Sequence, residues 1–361
     1  MASTLGEPPY EVIVDALLSG KVVPFFGSAA SAVYRPPGAA QWEPGKPFFP
    51  FGAELASVIA RAANYDAADA AYKAAESELV DAAADAALKA LQGATRDQMG
   101  AAIQAAIKPI LNKHFGGPPA LALAASYFVQ VQASREMLES KLHRAFDVTA
   151  EPGFLHKRLA AIETIPLYVT TNYDDLLERA LEPRDPHILV DRLNKGLIIK
   201  TKNGAPELID RTGGDLRNRL TNPETGKPTA PILFKMHGSV DRKDRINDSY
   251  FITEEDYVDY LGRDQGHYVP PYIEELMRRK NFLFLGYSLG DWNVRVILRK
   301  LLESMPSGAG DSRGEKVRFW AIVRGLSEAE QKVWQSQNLN VYQMDLVTFA
   351  ERLAAELGQP R

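Results

Sequence analysis

The sequence contains no cysteine. Disulfides, cysteine-ligated zinc, iron–sulfur clusters and a cysteine nucleophile are therefore excluded together. Histidine is sparse, with six in 361 residues, and no HExxH or comparable ligand spacing occurs, so no metal site is predicted. Neither sign of charge dominates: 42 Lys plus Arg face 46 Asp plus Glu, a formal net charge of −4. That balance argues against an intrinsic, non-specific nucleic-acid binder, although it allows a local basic patch. Long apolar runs are missing too. The stretch FLFLGYSL from Phe282 is far too short to span a bilayer. The start, MASTLGEPPYEVIVDALLSG, has no basic segment leading into an apolar one. The expectation from these absences is a soluble, cytoplasmic protein with no membrane partner and no direct nucleic-acid partner. The strings GxGxxG and GK[ST] are absent, which excludes an ordinary dinucleotide fingerprint and a P-loop.

Hydrophobic residues make up 45% and charged residues 24%, ordinary globular composition. At roughly 150 residues per domain the length suggests about two domains, or one domain with an insertion. Glu11 to Gly20 reads as a short amphipathic helix, and Lys21 to Phe26 as a buried strand. A proline-rich loop follows, from Tyr34 to Phe51. Residues 53–149 are rich in Ala, Leu, Glu and Lys and read as several helices, broken near Gly93 and at Gly116. Strand signals return at Pro166–Thr171, Pro231–Met236, Asn281–Leu285, Arg318–Val323 and Val341–Met344. Residues 183–230 read as loop-rich, with some strand character at Gly196–Lys200. Helices are predicted at Asp174–Leu181, Thr253–Leu261, Tyr272–Lys280, Trp292–Leu302 and Thr348–Leu357. Short apolar strands alternating with helices describe an α/β, doubly wound, Rossmann-like parallel sheet. The predicted division is 1–52 and 150–361 for the nucleotide-type domain and 53–149 for an inserted helical subdomain.

The polar and glycine motifs fall just after strands, where such sheets bind ligands. Gly27-Ser-Ala-Ala-Ser31 offers small residues, backbone amides and two hydroxyls, suited to a phosphate, though a tight strand-to-loop turn explains the same residues. Thr170-Thr-Asn-Tyr-Asp-Asp175 places Asn172 at a strand end, where a neutral amide can orient a water or a carboxamide. Capping the next helix is the simpler reading of Asp174. Lys235-Met-His-Gly-Ser239 places His237 after an apolar strand, in position for a general base. Gly286-Tyr-Ser-Leu-Gly-Asp291 again supplies glycine and a hydroxyl, and Asp291 is placed for a ribose or for a helix cap. Its Gly-Tyr-Ser-Leu-Gly also matches the nucleophile-elbow string GxSxG. The required chain order of Ser, acid and then His is absent, since no histidine follows His267.

In this order the strings GSAAS, TTNYDDLLERA, FKMHGSV and GYSLGD resemble the four motifs of the sirtuin family. The resemblance implies a sirtuin-like fold that binds NAD+. It makes Asn172 and His237 catalytic, and it puts Gly27, Ser28, Ala29, Ser31, Thr171, Asp174, Gly286, Ser288 and Asp291 around the cofactor. It also places the pyrophosphate on the amides near Gly27 to Ala29. Two departures matter. The four-cysteine zinc module of the deacylases is missing, and Phe51-Gly-Ala-Glu54 stands where an Asp-Phe-Arg segment is usual. With the extra helical block, the pattern is similar to the stand-alone sirtuin-like NAD+ glycohydrolases of prokaryotic antiphage defence. That likeness implies cleavage of NAD+ to nicotinamide and ADP-ribose, a homo-oligomer, and a HerA-type hexameric ATPase as partner. A protein deacylase, or a module that binds NAD+ or ADP-ribose without turnover, is the alternative.

Overall fold

The computed structural model describes residues 6–32, 35, 39, 41–65, 120–132, 134–192, 195–201, 204–210, 216–261, 269–288 and 317–358. The helix predicted at Trp292–Leu302, Asp291, and the breaks at Gly93 and Gly116 lie outside them. Two compact units are distinguished, Met1–Phe51 with Glu139–Arg361, and Gly52–Leu138.

The larger unit is built on nine described strands. In chain order, with a two-stranded hairpin included, they are β1 (Val22–Phe26), β2 (Leu167–Thr170), β3 (His187–Arg192), β4 (Gly196–Lys200), β5 (Glu207–Ile209), β6 (Ile232–Lys235), β7 (Gly238–Ser239), β8 (Ser249–Tyr250), β9 (Asn281–Leu285), β10 (Phe319–Val323) and β11 (Leu339–Gln343). The main sheet runs β11-β10-β9-β1-β2-β6-β3-β4-β5, and β7 pairs only with β8. All neighbours from β11 to β3 are parallel, whereas β4 and β5 join antiparallel at one edge. From β1 the chain builds outward first through β2 and β6, then on the other side through β9, β10 and β11. The direction of winding reverses between β1 and β9, the switch point at which doubly wound sheets open a crevice.

The uninterrupted apolar runs follow from cover on both faces. Val22, Phe26, Tyr168, Leu233, Leu283, Leu285, Trp320 and Ile322 enter one core with residues of the helices Tyr10–Leu18, Phe154–Ala160 and Leu346–Glu356. Val23, Phe25, Leu167, Val169, Phe234, Phe282, Phe284 and Ala321 enter the other, with Tyr260, Ile273 and Trp334 from the helices Glu254–Leu261, Pro271–Met277 and Glu328–Ser336. Alternate residues point to opposite faces, so both positions of the pleat must be apolar.

The loop-rich reading of residues 183–230 is corrected. Three strands lie there: β4 is the strand read at Gly196–Lys200, β5 is a short edge strand, and β3 is an interior strand between β6 and β4. In β3, His187 at one end and Asp191-Arg192 at the other hide a short apolar centre around Leu189-Val190. The helix Glu328–Ser336 was also missed, although Ser327 and Glu330 form a complete capping box at its start. Thr253 and Asp256 do form the predicted weaker box: the Asp256 amide donates to Thr253 Oγ1 at 3.2 Å, and Asp256 Oδ2 accepts the Thr253 amide at 3.0 Å.

In the smaller unit the helices Gly52–Ala62 and Leu121–Gln132 pack together, burying Leu55, Ala56 and Ile59 on one and Ala124, Ala125 and Phe128 on the other. Tyr65 meets Tyr127 edge-on at 5.1 Å. Among the described residues no helix is long and apolar enough to cross a membrane.

Candidate active site at the switch point

Strand register brings the four motifs together. Phe26 is level with Thr170 and with Leu285, and Thr170 is level with Lys235. Gly27, Thr171, Met236 and Gly286 are therefore the next residues on four adjacent parallel strands. Asn172 and His237 each lie two residues beyond the paired Thr170 and Lys235.

The two glycine motifs pack on each other. The Gly27 amide donates to Leu285 O at 2.8 Å, and the Ala29 amide to Gly286 O at 3.0 Å. A Cβ on Gly27 would lie 2.7 Å from Gly286 O, and one on Gly286, whose φ is +75°, would collide with the backbone of Ala29 and Ala30. The Gly27 and Ala29 amides already serve carbonyls across the switch point, and the glycines permit the two loops to touch. The chain does not continue as a loop after Gly27 but turns into a helix at Ser28–Ala32, with Ser28 exposed and Ser31 buried. Ser288 is exposed at the end of the other loop and does not have the left-handed backbone of a strained nucleophile elbow.

Asn172 is 8% exposed and held on three sides. Its amide N–H donates to Thr170 Oγ1 at 3.0 Å, and its Nδ2 donates to Gly27 O and to Ser31 Oγ, both at 3.0 Å. A carbonyl only accepts, so the contact with Gly27 fixes which end of the side chain is nitrogen. Asn172 Oδ1 is buried and has no hydrogen-bond partner among the described residues. Native structures leave few such acceptors without a donor. Ser31 also bonds the carboxyl of Asp174, which accepts the Leu176 amide at 3.1 Å. Asp174 thus touches the start of the next helix, as its capping reading implied, although the helix runs only from Leu176 to Leu181, with Asp175 in the cap position. Thr170 Oγ1 at 2.9 Å, the Thr171 amide at 3.1 Å and Tyr287 Oη at 3.2 Å all donate to Phe26 O. Thr171 Oγ1 and Tyr287 Oη are 3.5 Å apart.

His237 is positioned by packing. It is 5% exposed. Its ring stacks on Phe251 at 5.9 Å and meets the edges of Tyr257 at 5.7 Å and Tyr260 at 6.3 Å. The Phe251 amide donates to His237 O at 3.0 Å. Gly238 is required by this turn. Its φ is +91°, and a Cβ would run into the backbone of Ser249 on the paired strand.

Residue reasoning missed Lys235, Glu178 and the aromatic wall. Lys235, the last residue of β6, is fully buried and bonds Tyr173 O, Asp174 O and Glu178 Oε1. Burial pushes the carboxyls of Asp174 and Glu178 above their usual range, and the Lys235 ammonium pulls both back. A single lysine inside Pro231–Met236, otherwise apolar, was the available signal. Phe251, Tyr257 and Tyr260 lie in a segment whose only sequence signal was its helix. Among the described residues no group of three His, Asp or Glu is arranged to hold a metal ion.

Fold and site together define a doubly wound nucleotide-type domain with an amide and an imidazole at neighbouring strand ends. Residues 166–342, which include Asn172 and His237, match the family model described as SIR2-like domain. The chain is 30% identical over 194 residues to a protein named NAD(+) hydrolase ThsA from Acinetobacter baumannii (strain 532279), covering 53% of this chain and 33% of that protein. It is 28% identical over 180 residues to a protein of the same name from Enterococcus faecium, covering 49% and 31%. The chain spans about a third of the length of these curated relatives. Among solved structures it is similar to Sir2 in complex with the inhibitor EX-527, 2′-O-acetyl-ADP-ribose and deacetylated p53 peptide, at 12% identity, 97% and 100% coverage and a TM-score of 0.34. It is also similar to Sir2Tm bound to a propionylated peptide, at 13% identity, 98% and 100% coverage and a TM-score of 0.34. The likeness to both structures is loose.

Proposed function

We propose that this chain is an NAD+ glycohydrolase, releasing nicotinamide and ADP-ribose. The carrying observation is Asn172: its Nδ2 is anchored to Gly27 and Ser31, and its buried Oδ1 is left to accept a hydrogen bond. The donor would be the attacking water or the nicotinamide carboxamide. In the reaction the bond between the ribose anomeric carbon and the nicotinamide nitrogen breaks, and its electron pair leaves with nicotinamide. A water oxygen bonds to that carbon, and its proton passes to solvent. His237 acts as general base toward the water or a ribose hydroxyl, a role worth roughly 10²–10⁴-fold. Ser28 and Ser288, both exposed at the mouth of the two glycine loops, contact phosphate or ribose. Asp291 is assigned to ribose on the resemblance alone, and no metal takes part.

Relatives named NAD(+) hydrolase support this reading, and the missing zinc module speaks against a deacylase. The antiphage role, homo-oligomerisation and a HerA-type ATPase partner are proposed on the resemblance, and the cytoplasmic setting on the lack of cysteine and of long apolar runs. The test is NAD+ turnover by the full chain, with chromatography of products and Asn172→Ala and His237→Ala in parallel. Nicotinamide and ADP-ribose from the wild type alone support the proposal. Cleavage that needs an acyl-lysine peptide makes the protein a deacylase, and NAD+ binding without products makes it a binding module.

A further inference from the structure

We propose that Lys235 is the positioning residue of this site. Its buried ammonium fixes the Tyr173–Asp174 turn and, through Asp174 and Ser31, the direction of the Asn172 side chain. The proposal rests on the reading of Asn172 as the group that meets the substrate.

Lysine is among the residues least often fully buried, and a buried charge is costly unless paired and hydrogen-bonded. Lys235 is 0% exposed. Its Nζ donates to Asp174 O at 2.5 Å, Glu178 Oε1 at 2.8 Å and Tyr173 O at 3.3 Å, which uses all three donors of an ammonium. A lysine present only to neutralise Glu178 would not need two main-chain carbonyls. Those carbonyls belong to the two residues that follow Asn172, so the contacts tie the end of β6 to the turn that presents the amide.

The second effect is on proton direction. An ionised Asp174 can only accept, so the Ser31 hydroxyl donates to it and turns a lone pair toward Asn172 Nδ2. A protonated Asp174 would itself become a donor, and its proton would compete with Nδ2 for the Ser31 oxygen. Burial favours that protonated form, and the nearby Lys235 charge opposes it. One cation therefore holds the backbone of the turn and opposes the protonation of Asp174, which burial favours on balance and which would reverse the chain Asp174–Ser31–Asn172. Asn172 Oδ1 then points away from its anchors.

The test compares Lys235→Met with Lys235→Met/Glu178→Leu in the full chain. Replacing both members of a buried pair by apolar residues is often neutral or stabilising, so the double variant removes the cation without leaving Glu178 unpaired. Three quantities are read: NAD+ turnover, the melting temperature, and hydrogen exchange of the Asn172 side-chain amide by NMR. We expect both variants to lose about 10²-fold in kcat with KM changed less than about threefold, the signature of a misplaced rather than a missing group. The double variant recovers its melting temperature but not its rate, and its Asn172 amide exchanges at least about tenfold faster than in the wild type. A double variant that turns over within about threefold of wild type would make Lys235 a counterion of Glu178 and nothing more. Unchanged Asn172 amide exchange would likewise overturn the proposal. If the wild type itself cleaves no NAD+, the glycohydrolase reading fails, and the exchange measurement alone decides the role of Lys235.

Discussion

The two walls of the crevice hold their functional side chains by different means. On the β1–β2 side Asn172 is fixed by directional hydrogen bonds to Gly27 and Ser31, with a buried carboxylate behind Ser31. On the β6 side His237 is fixed by ring contacts with Phe251, Tyr257 and Tyr260. An amide has two chemically distinct ends, and only hydrogen bonds tell them apart. An imidazole has a plane to be set, and flat neighbours set it. The amide wall is therefore sensitive to single polar atoms, and the imidazole wall to lost volume.

The largest expected effects strike the two groups themselves. Asn172→Ala and His237→Ala should each lower NAD+ turnover by roughly 10²–10⁴-fold with the melting curve nearly unchanged, read as nicotinamide release. If either variant kept full turnover, that wall would carry no catalytic group. Next in size is Phe251→Ala. It removes a fully buried ring and should destabilise the fold by about 3–5 kcal/mol in urea unfolding. Loss of activity at temperatures where this variant is still folded would separate ring placement from stability.

A smaller effect tests the amide wall by pH. His156 stacks on Phe26 at 5.4 Å, one residue before Gly27, and burial pushes its pKa down to about 4. An unfolded histidine titrates near 6.5, so between these values the unfolded state binds the extra proton and stability falls as pH falls. The loss should reach about 2 kcal/mol at pH 5 relative to pH 8, measured by denaturant titration. His156→Leu should flatten that slope, and an unchanged slope would mean that another group controls the acid limb. A smaller effect again is expected for Ser31→Ala. It removes one acceptor from Asn172 and one donor from Asp174, and should slow turnover by about tenfold, near the contribution of one hydrogen bond, with KM steady. The equivalent truncation on the other wall, Tyr260→Phe, keeps the ring and should leave turnover within about twofold. A larger loss there would show that the imidazole wall also depends on polar atoms.

Much of the fold was legible. Val22–Phe26 and Phe282–Leu285 are unbroken apolar runs because interior parallel strands are covered on both faces. Strand β4 was legible as Gly196–Lys200, whereas β3 and β5 were not, since their apolar centres are short and their ends are charged or polar. Asn172 and His237 could be named from their strings, but what surrounds them could not. Glu178 and Ser31 are remote in sequence from Lys235 and meet it or its turn only through the β2–β6 and β1–β2 pairings.

By itself the sequence determined the alternation of strands and helices, the four motifs at strand ends and the exclusion of cysteine chemistry. These depend on residue type and local spacing, which a linear chain displays directly. Only the tertiary structure decided that Gly27 and Gly286 serve each other, that the amides of Gly27 and Ala29 are already engaged, and that a buried lysine braces the asparagine turn. Each of these is a contact between segments far apart in the chain, and a hydrogen-bond partner is set by where strands lie in the sheet.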